Sequence, residues 1–339
     1  MATKATKTRP ASKPIAVLIS DIHFSLASLS PAGVALRAAV TEANDRGLPL
    51  VIAGDLFDGK AILRAECVNA VITTLSGIKN RAYIIPGNHD LLNERSEDNS
   101  LLCLDSDRVA VLSATYALEL GGAAALVVPY CSEPNTFSAI LNENNHSIVI
   151  GHQGIVGALS HYAKDRSAID PAALGKRRVI LGHYHKRQDI GNISYLGSPY
   201  TITFGEADDG PKGYSILLSD GRLEFHPLSD IRKHVVVERT MENLFDSIPG
   251  VNPLIDLVWL KVSGTYSQLQ ALSKVKIGTA LLGHTNFKFD KIVLPDDTEA
   301  ARPKDETPME ALDTLIDLTS ETAENKIKLK QLAREVLSA

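Results

Sequence analysis

Short apolar runs, each ending on a polar residue, recur along the first two thirds of the chain. After Pro14 the run IAVLIS breaks at Asp21-Ile22-His23. A helix-compatible stretch, PAGVALRAAVTEANDRG, then leads to the run LPLVIAG, which stops at Asp55. A helical segment near Arg64 to Gly77 precedes the run RAYIIPG, which opens into Asn88-His89-Asp90. Short apolar runs bounded by turn residues read as buried strands, and their alternation with helices predicts an α/β layered core. In such cores functional residues gather at the carboxyl ends of the strands.

The pattern continues through AALVVPY, HSIVIGHQ, RRVILGHYH, ISYLGS and GYSILLSDGRLEFHPL. The last of these predicts antiparallel strands joined by an Asp220-Gly221 turn. From about Asp230 the character changes to HVVVERTM, then LIDLVWLKVSG with alternating faces, a helical YSQLQALSKVKIGTALLG, and NFKFDKIVL. This predicts a separate small α+β domain. The expected organisation is a flexible basic tail over 1–14, a main domain over 15–230, a small domain over 231–297, a linker over 298–307 and a helical tail over 308–339.

In that tail, Thr307-Pro308-Met309-Glu310 matches a capping box with proline at the first helical position. Acidic Asp313, Asp317 and Glu324 precede basic Lys326, Lys330 and Arg334, as the helix macrodipole favours. Leu329, Leu332 and Val336 form an apolar stripe that would pack on its own protein or dock to a partner chain.

Composition narrows the class. With 339 residues, 44% hydrophobic and 22% charged, the chain can bury one large core and a second small one. The formal net charge of -5 argues against adhesion to nucleic acid through bulk positive charge. Cys67, Cys103 and Cys131 lack metal-type spacing and read as free thiols, core filler in a reducing compartment. The N-terminal run is too brief for a signal sequence or a membrane span, so a cytoplasmic protein is expected.

The strand-end residues fall into a set: Asp21-Ile-His23, Gly54-Asp55-Leu-Phe-Asp58, Gly87-Asn88-His89-Asp90, Gly151-His152 and Gly182-His183-Tyr-His185. Carboxylate, imidazole and one amide, without thiolate, suit Mn²⁺, Fe or Zn²⁺ in a reactive centre, not a structural zinc cage. Glycine before several of them permits sharp turns and close backbone approach. His183 and His185 leave one strand end together and can reach adjacent ions.

In this order the motifs resemble the signature of the calcineurin-like metallophosphoesterase superfamily, D-x-H, G-D-x-x-D, G-N-H-D, G-H and G-H-x-H, over Asp21 to His185. The resemblance implies a four-layer αββα sandwich, with the small domain as a cap. It also implies two metal positions, one held by Asp21, His23, Asp55 and His185, the other by Asp55, Asn88, His152 and His183, with Asp55 bridging. His89 resembles the catalytic histidine and Asp90 the carboxylate that orients it, while Asp58 would stand behind the ligands. Two divalent ions about 3.5–4 Å apart can acidify a water and stabilise both attacking and leaving oxygens of an in-line displacement, and His89 would protonate or neutralise the leaving alkoxide. By formal count the centre stays at about +1, which attracts a phosphodiester. Mn²⁺ is the expected metal, with Mg²⁺, Fe or Zn²⁺ as alternatives.

Tyr195-Leu-Gly197-Ser198-Pro199, Phe204-Gly205-Glu206 and Lys212-Gly213-Tyr214 are similar to the corresponding region of SbcD-type DNA nucleases, including phage-encoded recombination endonuclease subunits. That resemblance implies DNA as substrate, an SbcC-type ABC ATPase as partner, a homodimer, and the host cytoplasm for a phage-encoded chain. One departure stands out. Many of those nucleases carry histidine where this chain has Asp58, and that histidine is implicated in exonuclease action, so endonuclease action or partner-dependent exonuclease action stays open.

Among basic residues near the motifs, including Lys176 and Arg177, the candidates for binding flanking phosphates are Arg178, Lys186 and Arg187. His146, His161, His226, His234 and His284 read as surface or core histidines. Trp259 and Phe287 to Phe289 read as small-domain core. Two other functions remain: a phosphodiesterase for small molecules or cyclic nucleotides, since the same centre serves both, and a non-catalytic scaffold, which the retention of His89 and every metal ligand disfavours.

Overall fold

The computed structural model describes residues 12–93, 98–159, 165–294, 316 and 322–337, with side chains as far as residue 331 in the last segment. The expected features at residues 1–11 and 298–307, the capping box, His161 and the side chains of Leu332, Arg334 and Val336 lie outside the described residues.

Strand β1 (Pro14–Ile19) shows how the sequence becomes layers. Alternate side chains of a strand face opposite ways. Val17 and Ile19 enter one core with Ala32, Ala35, Leu36 and Ala39 of helix α1 (Leu29–Arg46), whereas Ala16 and Leu18 enter a second core with no helix in it. In β2 (Leu50–Ala53) and β3 (Ala82–Ile85), Leu50, Ile52, Ala82 and Ile84 face the helical side, and Val51, Ala53 and Ile85 the inner one. The helix α2 (Ala65–Leu75) adds Cys67, Val71 and Leu75 to the outer core.

The second sheet mirrors this arrangement. In β6 (Ala123–Val128), β7 (Ile148–His152) and β8 (Arg178–Gly182), Ala125, Val127, Ile148, Ile150 and Ile180 face the inner core. Leu126, Val128, Val149, Val179 and Leu181 pack with Phe137 and Leu141 of α3 (Pro134–Glu143). Helices, sheet, sheet and helix make the four-layer αββα sandwich that the family resemblance implies.

The remaining strands are β4 (Val109–Val111), β5 (Tyr116–Leu120), β9 (Gln188–Ile190), β10 (Ile193–Tyr195), β11 (Gly213–Leu218) and β12 (Leu223–Pro227). The sheets run β12-β11-β1-β2-β3-β4 and β5-β6-β7-β8-β10-β9. β1, β2 and β3 are mutually parallel, as are β6, β7 and β8, so each trio ends on one side of its sheet. β11 and β12 form the expected antiparallel pair, with Leu217 opposite Leu223 and Gly221 at φ 83° in the turn.

The chain divides into two compact units. The first comprises Met1–Glu238, Phe245–Lys261 and Lys274–Asp290. Besides the sandwich it holds α5 (Lys274–Leu282) and the leading residues of β13 (His234–Thr240), β14 (Leu257–Gly264) and β15 (Lys288–Val293), three strands in that order. β14 alternates strictly, with Val258, Leu260 and Val262 buried, and this places Trp259 on the half-exposed face. There it is not core filler: Nζ of Lys261 and of Lys288 lie 4.6 and 3.3 Å from its ring centroid, and its indole N–H donates to Asp290 Oδ2 at 2.9 Å. Phe287 is buried as expected.

The second unit comprises Arg239–Leu244, Val262–Ser273 and Lys291–Ala339. In it the short α4 (Tyr266–Gln270) starts at a capping box formed by Thr265 and Gln268, and α6 (Ala323–Leu337) lies near the C-terminus. Of the three cysteines only Cys67 is core, since Cys103 is exposed and Cys131 half-buried. Among the described residues, no helix is long and apolar enough to cross a membrane.

Candidate metal centre

The expected ligand residues converge because five strands end together. Asp21 and His23 follow β1, Asp55 follows β2, Asn88 and His89 follow β3, His152 closes β7, and His183 and His185 follow β8. Asp21, His23 and His185 bring ligand atoms within 4.8 Å of one another, as do Asp55, His152 and His183, and a third grouping joins His23, Asp55 and His89. His152 Nε2 lies 3.3 Å and His23 Nε2 3.6 Å from the same oxygen, Asp55 Oδ2. Asn88 Oδ1 lies 2.8 Å from His183 Nδ1 and 3.2 Å from His152 Nε2.

Unusual backbone makes this convergence possible. Among the described residues, the non-glycine residues with positive φ are Asp21 (φ 53°), His23 (φ 49°), Asp55 (φ 51°) and His183 (φ 98°), and all four are candidate ligands. Such conformations cost about 1–3 kcal/mol each and persist only where the surroundings enforce them. Here the enforcement is a set of hydrogen bonds between strand ends: Asp21 N to Gly54 O at 3.0 Å, His23 N to Asp55 O at 3.0 Å, and His183 N to Asp21 Oδ1 at 3.0 Å. The Tyr200 hydroxyl and Ser28 Oγ donate to the carbonyls of Ile22 and His23. Gly54 explains the glycine before the aspartate, because a Cβ there would sit 2.1 Å from His152 Nδ1.

Three imidazoles, those of His152, His183 and His185, are fixed through one nitrogen and offer the other. The Ala53 carbonyl can only accept, so His152 Nδ1 donates to it at 2.8 Å and presents Nε2. His183 Nε2 meets Asp165 Oδ2 at 2.9 Å and presents Nδ1. His185 Nδ1 meets Glu206 Oε1 at 2.9 Å and presents Nε2. His23 Nδ1 lies 3.3 Å from Asp58 Oδ1, with Nε2 toward the centre. The presented nitrogens of His23 and His185 are then 3.1 Å apart. Lone pairs face one another there, an arrangement that requires a proton or a cation between them. This donor chemistry fits two divalent cations, and partners of this kind fix tautomer and ring orientation in metal sites.

Charge in the centre follows from burial and pairing. Burial opposes ionisation of Asp55, but His152 and His23 outweigh it and hold the carboxyl well below its usual range. Burial also opposes a charge on His152, and Asp55 overcomes it, raising that imidazole to about 9. Glu206 is buried too, yet His185 and Lys212 bring it down to about 2. Lys212 Nζ sits beneath the centre, 3.2 Å from Glu206 Oε2, 3.0 Å from Asp209 Oδ2 and 2.8 Å from the His185 carbonyl.

Two expectations need correction. Asp90 does not hold the His89 ring: its carboxylate accepts from the backbone N–H of Gly87 (2.9 Å) and Phe57 (3.2 Å), and so pins one strand-end loop to another. Burial, then the nearby Asp55, raise it to about 7. The ring partner is instead the backbone carbonyl of Asp58, 2.8 Å from His89 Nδ1. Arg178 does not stand beside the histidines. It opens β8, four residues before Gly182, and at about 3.3 Å per residue that is roughly 13 Å from the strand end that carries the histidines. Arg187 lies across the Phe225 ring, 4.3 Å from its centroid. Lys186 remains partly exposed, with Nζ 3.9 Å from Asp209 Oδ1.

Asp165, Asp209, Glu206 and Lys212 are functional neighbours that the site motifs do not name. Glu206 and Lys212 belong to the FGE and KG segments that the sequence singles out, whereas Asp165 carries no local pattern at all.

Comparison with known proteins gives the family. The family model described as calcineurin-like phosphoesterase matches residues 16–187. The chain belongs to that family. Exonuclease subunit 1 of Enterobacteria phage T4 is 24% identical over 275 residues, 78% of either chain. Among solved structures, an archaeal phosphodiesterase aligns at 13% identity and a TM-score of 0.36 over 63% of this chain and 99% of its own. A hypothetical protein of Thermus thermophilus aligns at 17% identity and a TM-score of 0.35, over 63% of this phosphoesterase and 88% of its own chain.

Proposed function

We propose that this phosphoesterase is a two-metal-dependent DNA nuclease, working as one subunit of a recombination or repair complex of the SbcCD kind. The observation that carries the reading is the pair of ligand sets meeting at Asp55, with each histidine held so that one nitrogen faces inward. Divalent cations in those sets, Mn²⁺ foremost, would polarise a phosphodiester and acidify the attacking water. Asp55 would serve both sets, Asp21 with His23 and His185 completing one, and Asn88 with His152 and His183 the other.

His89 is the proton donor for the leaving alkoxide. Its backbone N–H donates to Asp55 Oδ1 at 2.8 Å, which sets the residue at the edge of the centre. Because the Asp58 carbonyl accepts from Nδ1, the proton given up in the reaction comes from Nε2, and the ring acts from its doubly protonated form. Asp58 Oδ1 lies 3.9 Å from the same nitrogen and beside His23. The presence of aspartate where many related nucleases carry histidine leaves His89 as the imidazole nearest the leaving group.

The T4 relative is by name an exonuclease subunit, which supports DNA as substrate and assembly with other subunits. We extend that to an SbcC-type ATPase partner, a homodimer and a cytoplasmic setting. The competing reading, a phosphodiesterase of small or cyclic nucleotides, uses the same centre. A non-catalytic scaffold is disfavoured by the complete ligand set.

The deciding experiment is cleavage of end-labelled linear and hairpin DNA with Mn²⁺, with and without a cognate ATPase, beside bis-p-nitrophenyl phosphate, for the native chain and His89→Ala. DNA cleavage lost in the variant supports the nuclease. Hydrolysis of the small ester alone, with DNA untouched even in the presence of the ATPase, overturns it in favour of the small-substrate reading.

A further inference from the structure

The residues behind the histidines form two networks with no shared member. Behind His185 stands a buried ionic cluster: Glu206 (1% exposed) receives His185 Nδ1 on Oε1, and its Oε2 meets Lys212 Nζ at 3.2 Å, Ser198 Oγ at 3.2 Å and the Ile202 N–H at 3.1 Å. Lys212 in turn donates to Asp209, to Ser198 Oγ at 2.9 Å and to the His185 carbonyl, so one ammonium fixes both the ring's partner and the backbone of the same ligand. Behind His183 stands Asp165. Its Oδ2 accepts from His183 Nε2 and, at 3.0 Å, from the Tyr184 hydroxyl, while its Oδ1 accepts from Ser167 N and Oγ at 2.9 and 2.6 Å.

We infer that Glu206 with Lys212, and Asp165 separately, are positioning residues that each secure one of the two metal positions, so that the positions can be weakened one at a time. The inference rests on the two-metal reading above and adds to it. A carboxylate behind a ligating imidazole fixes its tautomer and raises its basicity, and loss of such a partner typically costs about 10–100-fold in metal affinity. Since His185 groups with Asp21 and His23, and His183 with Asp55 and His152, each loss should fall on one position.

Charge explains why the first network needs three members. Lys212 is buried beside Glu206 and Asp209, and a buried cation stripped of its partners is strongly unfavourable. Glu206→Gln can still offer an oxygen to His185, but its amide N–H₂ then faces the donors of Lys212, Ser198 and Ile202. The glutamine therefore either abandons His185 or confronts those donors. Asp165→Asn meets the same conflict at Ser167.

The test is Mn²⁺ titration of the full-length protein by calorimetry, with electron paramagnetic resonance to detect the coupled Mn²⁺ pair. The native chain should bind two ions, and fewer than two would sink the two-metal reading itself. Given two, Glu206→Gln and Lys212→Met should each leave one ion at native affinity, weaken the other about 10–100-fold and abolish the coupled signal at low Mn²⁺. Asp165→Asn should do the same to the other ion. In the double variant with Glu206→Gln both should weaken, whereas Lys212→Arg should restore part of the loss. Equal weakening of both ions by a single variant, or native binding in all of them, overturns the inference. Thermal melting of each metal-free variant identifies any that fails to fold, and the isosteric Glu206→Gln and Asp165→Asn pair then decides the matter without Lys212→Met.

Discussion

At the start of β8, Arg178 is half-buried, with Nε donating to the Gly221 carbonyl at 2.8 Å, one terminal nitrogen to the Asn192 carbonyl at 3.0 Å and the other to Ser194 Oγ at 2.7 Å. At the end of the same strand, His183 takes a backbone conformation with φ 98° and turns Nδ1 toward Asn88, and His185 turns Nε2 toward His23. Both ends place polar groups beside one apolar run. At the first, each of the three guanidinium nitrogens has a protein acceptor and the backbone is ordinary. At the second, the backbone is strained and the presented nitrogens of His23 and His185 face each other at 3.1 Å, so a proton or a cation has to lie between them. A site is marked by what the protein leaves unpaired among buried groups, more than by the charge that accumulates near it.

The sharpest way to break this contrast is to remove the shared oxygen. Asp55 Oδ2 lies near both His23 and His152, so Asp55→Asn should weaken both metal positions and reduce phosphodiester hydrolysis by roughly 10³-fold or more, the two-metal contribution being lost together. Loss of one ion with the other retained would show that Asp55 is not shared. His89→Ala comes next. We expect two ions still bound and kcat lowered by roughly 10²–10⁴-fold, the usual range for a general acid. If Mn²⁺ binding falls in parallel with rate, His89 is a ligand and not a proton donor.

The Glu206 carboxylate gives the contrast a pH dependence. Its folded value is about 2, despite burial and because of His185 and Lys212, below the ordinary value of 4.5. A depressed carboxyl stabilises the fold fully above its unfolded value and loses that contribution as pH falls through the folded one. In the metal-free protein, the stability advantage of the native chain over Glu206→Gln should therefore be complete above about pH 5 and shrink by roughly 2–3 kcal/mol between there and about pH 2. Chemical denaturation at a series of pH values reads it. Parallel curves for the two proteins across that window would mean that Glu206 is not ionised against His185 and Lys212.

The same contrast explains what the sequence made legible. Ligands could be read because each apolar run ends on a residue of unmistakable type, and the continuous apolar runs of β1, β2, β3, β6, β7 and β8, buried on both faces, made the α/β layering equally plain. The partners of those ligands could not. Asp165 lies 18 residues before His183 in a stretch without periodicity, and only folding brings its Oδ2 to 2.9 Å. Glu206 stood out as part of a recurring segment, but nothing local says that a glutamate beside a phenylalanine and a glycine will be buried against a lysine. Asp90 was misassigned because adjacency to His89 in the chain says nothing of where a carboxylate points when three backbone N–H groups compete for it. Arg178 was misassigned for a related reason: it is near the motif in sequence but at the wrong end of a strand.

That last point can be tested where the expected effect is smallest. Arg178→Met keeps the apolar stem and removes the guanidinium, and with it the hydrogen bonds to the Gly221 and Asn192 carbonyls and to Ser194 Oγ. Hydrogen bonds from a charged donor contribute about 1.5–3 kcal/mol each at most, and partial access to water offsets some of that loss, so we expect a net destabilisation of roughly 1–3 kcal/mol. The effect should be flat between pH 4 and 9, since an arginine does not titrate there. Hydrolysis of bis-p-nitrophenyl phosphate and of DNA should stay within about twofold of native in both kcat and KM, because nothing near the reacting phosphate changes. Lys186→Met is the matched control, from the residue next to His185: it should leave stability nearly unchanged and raise KM for DNA while sparing the small ester. If Arg178→Met instead raised KM for DNA at unchanged stability, the strand start would be part of the substrate path, and the difference between the two ends of β8 would be one of distance alone.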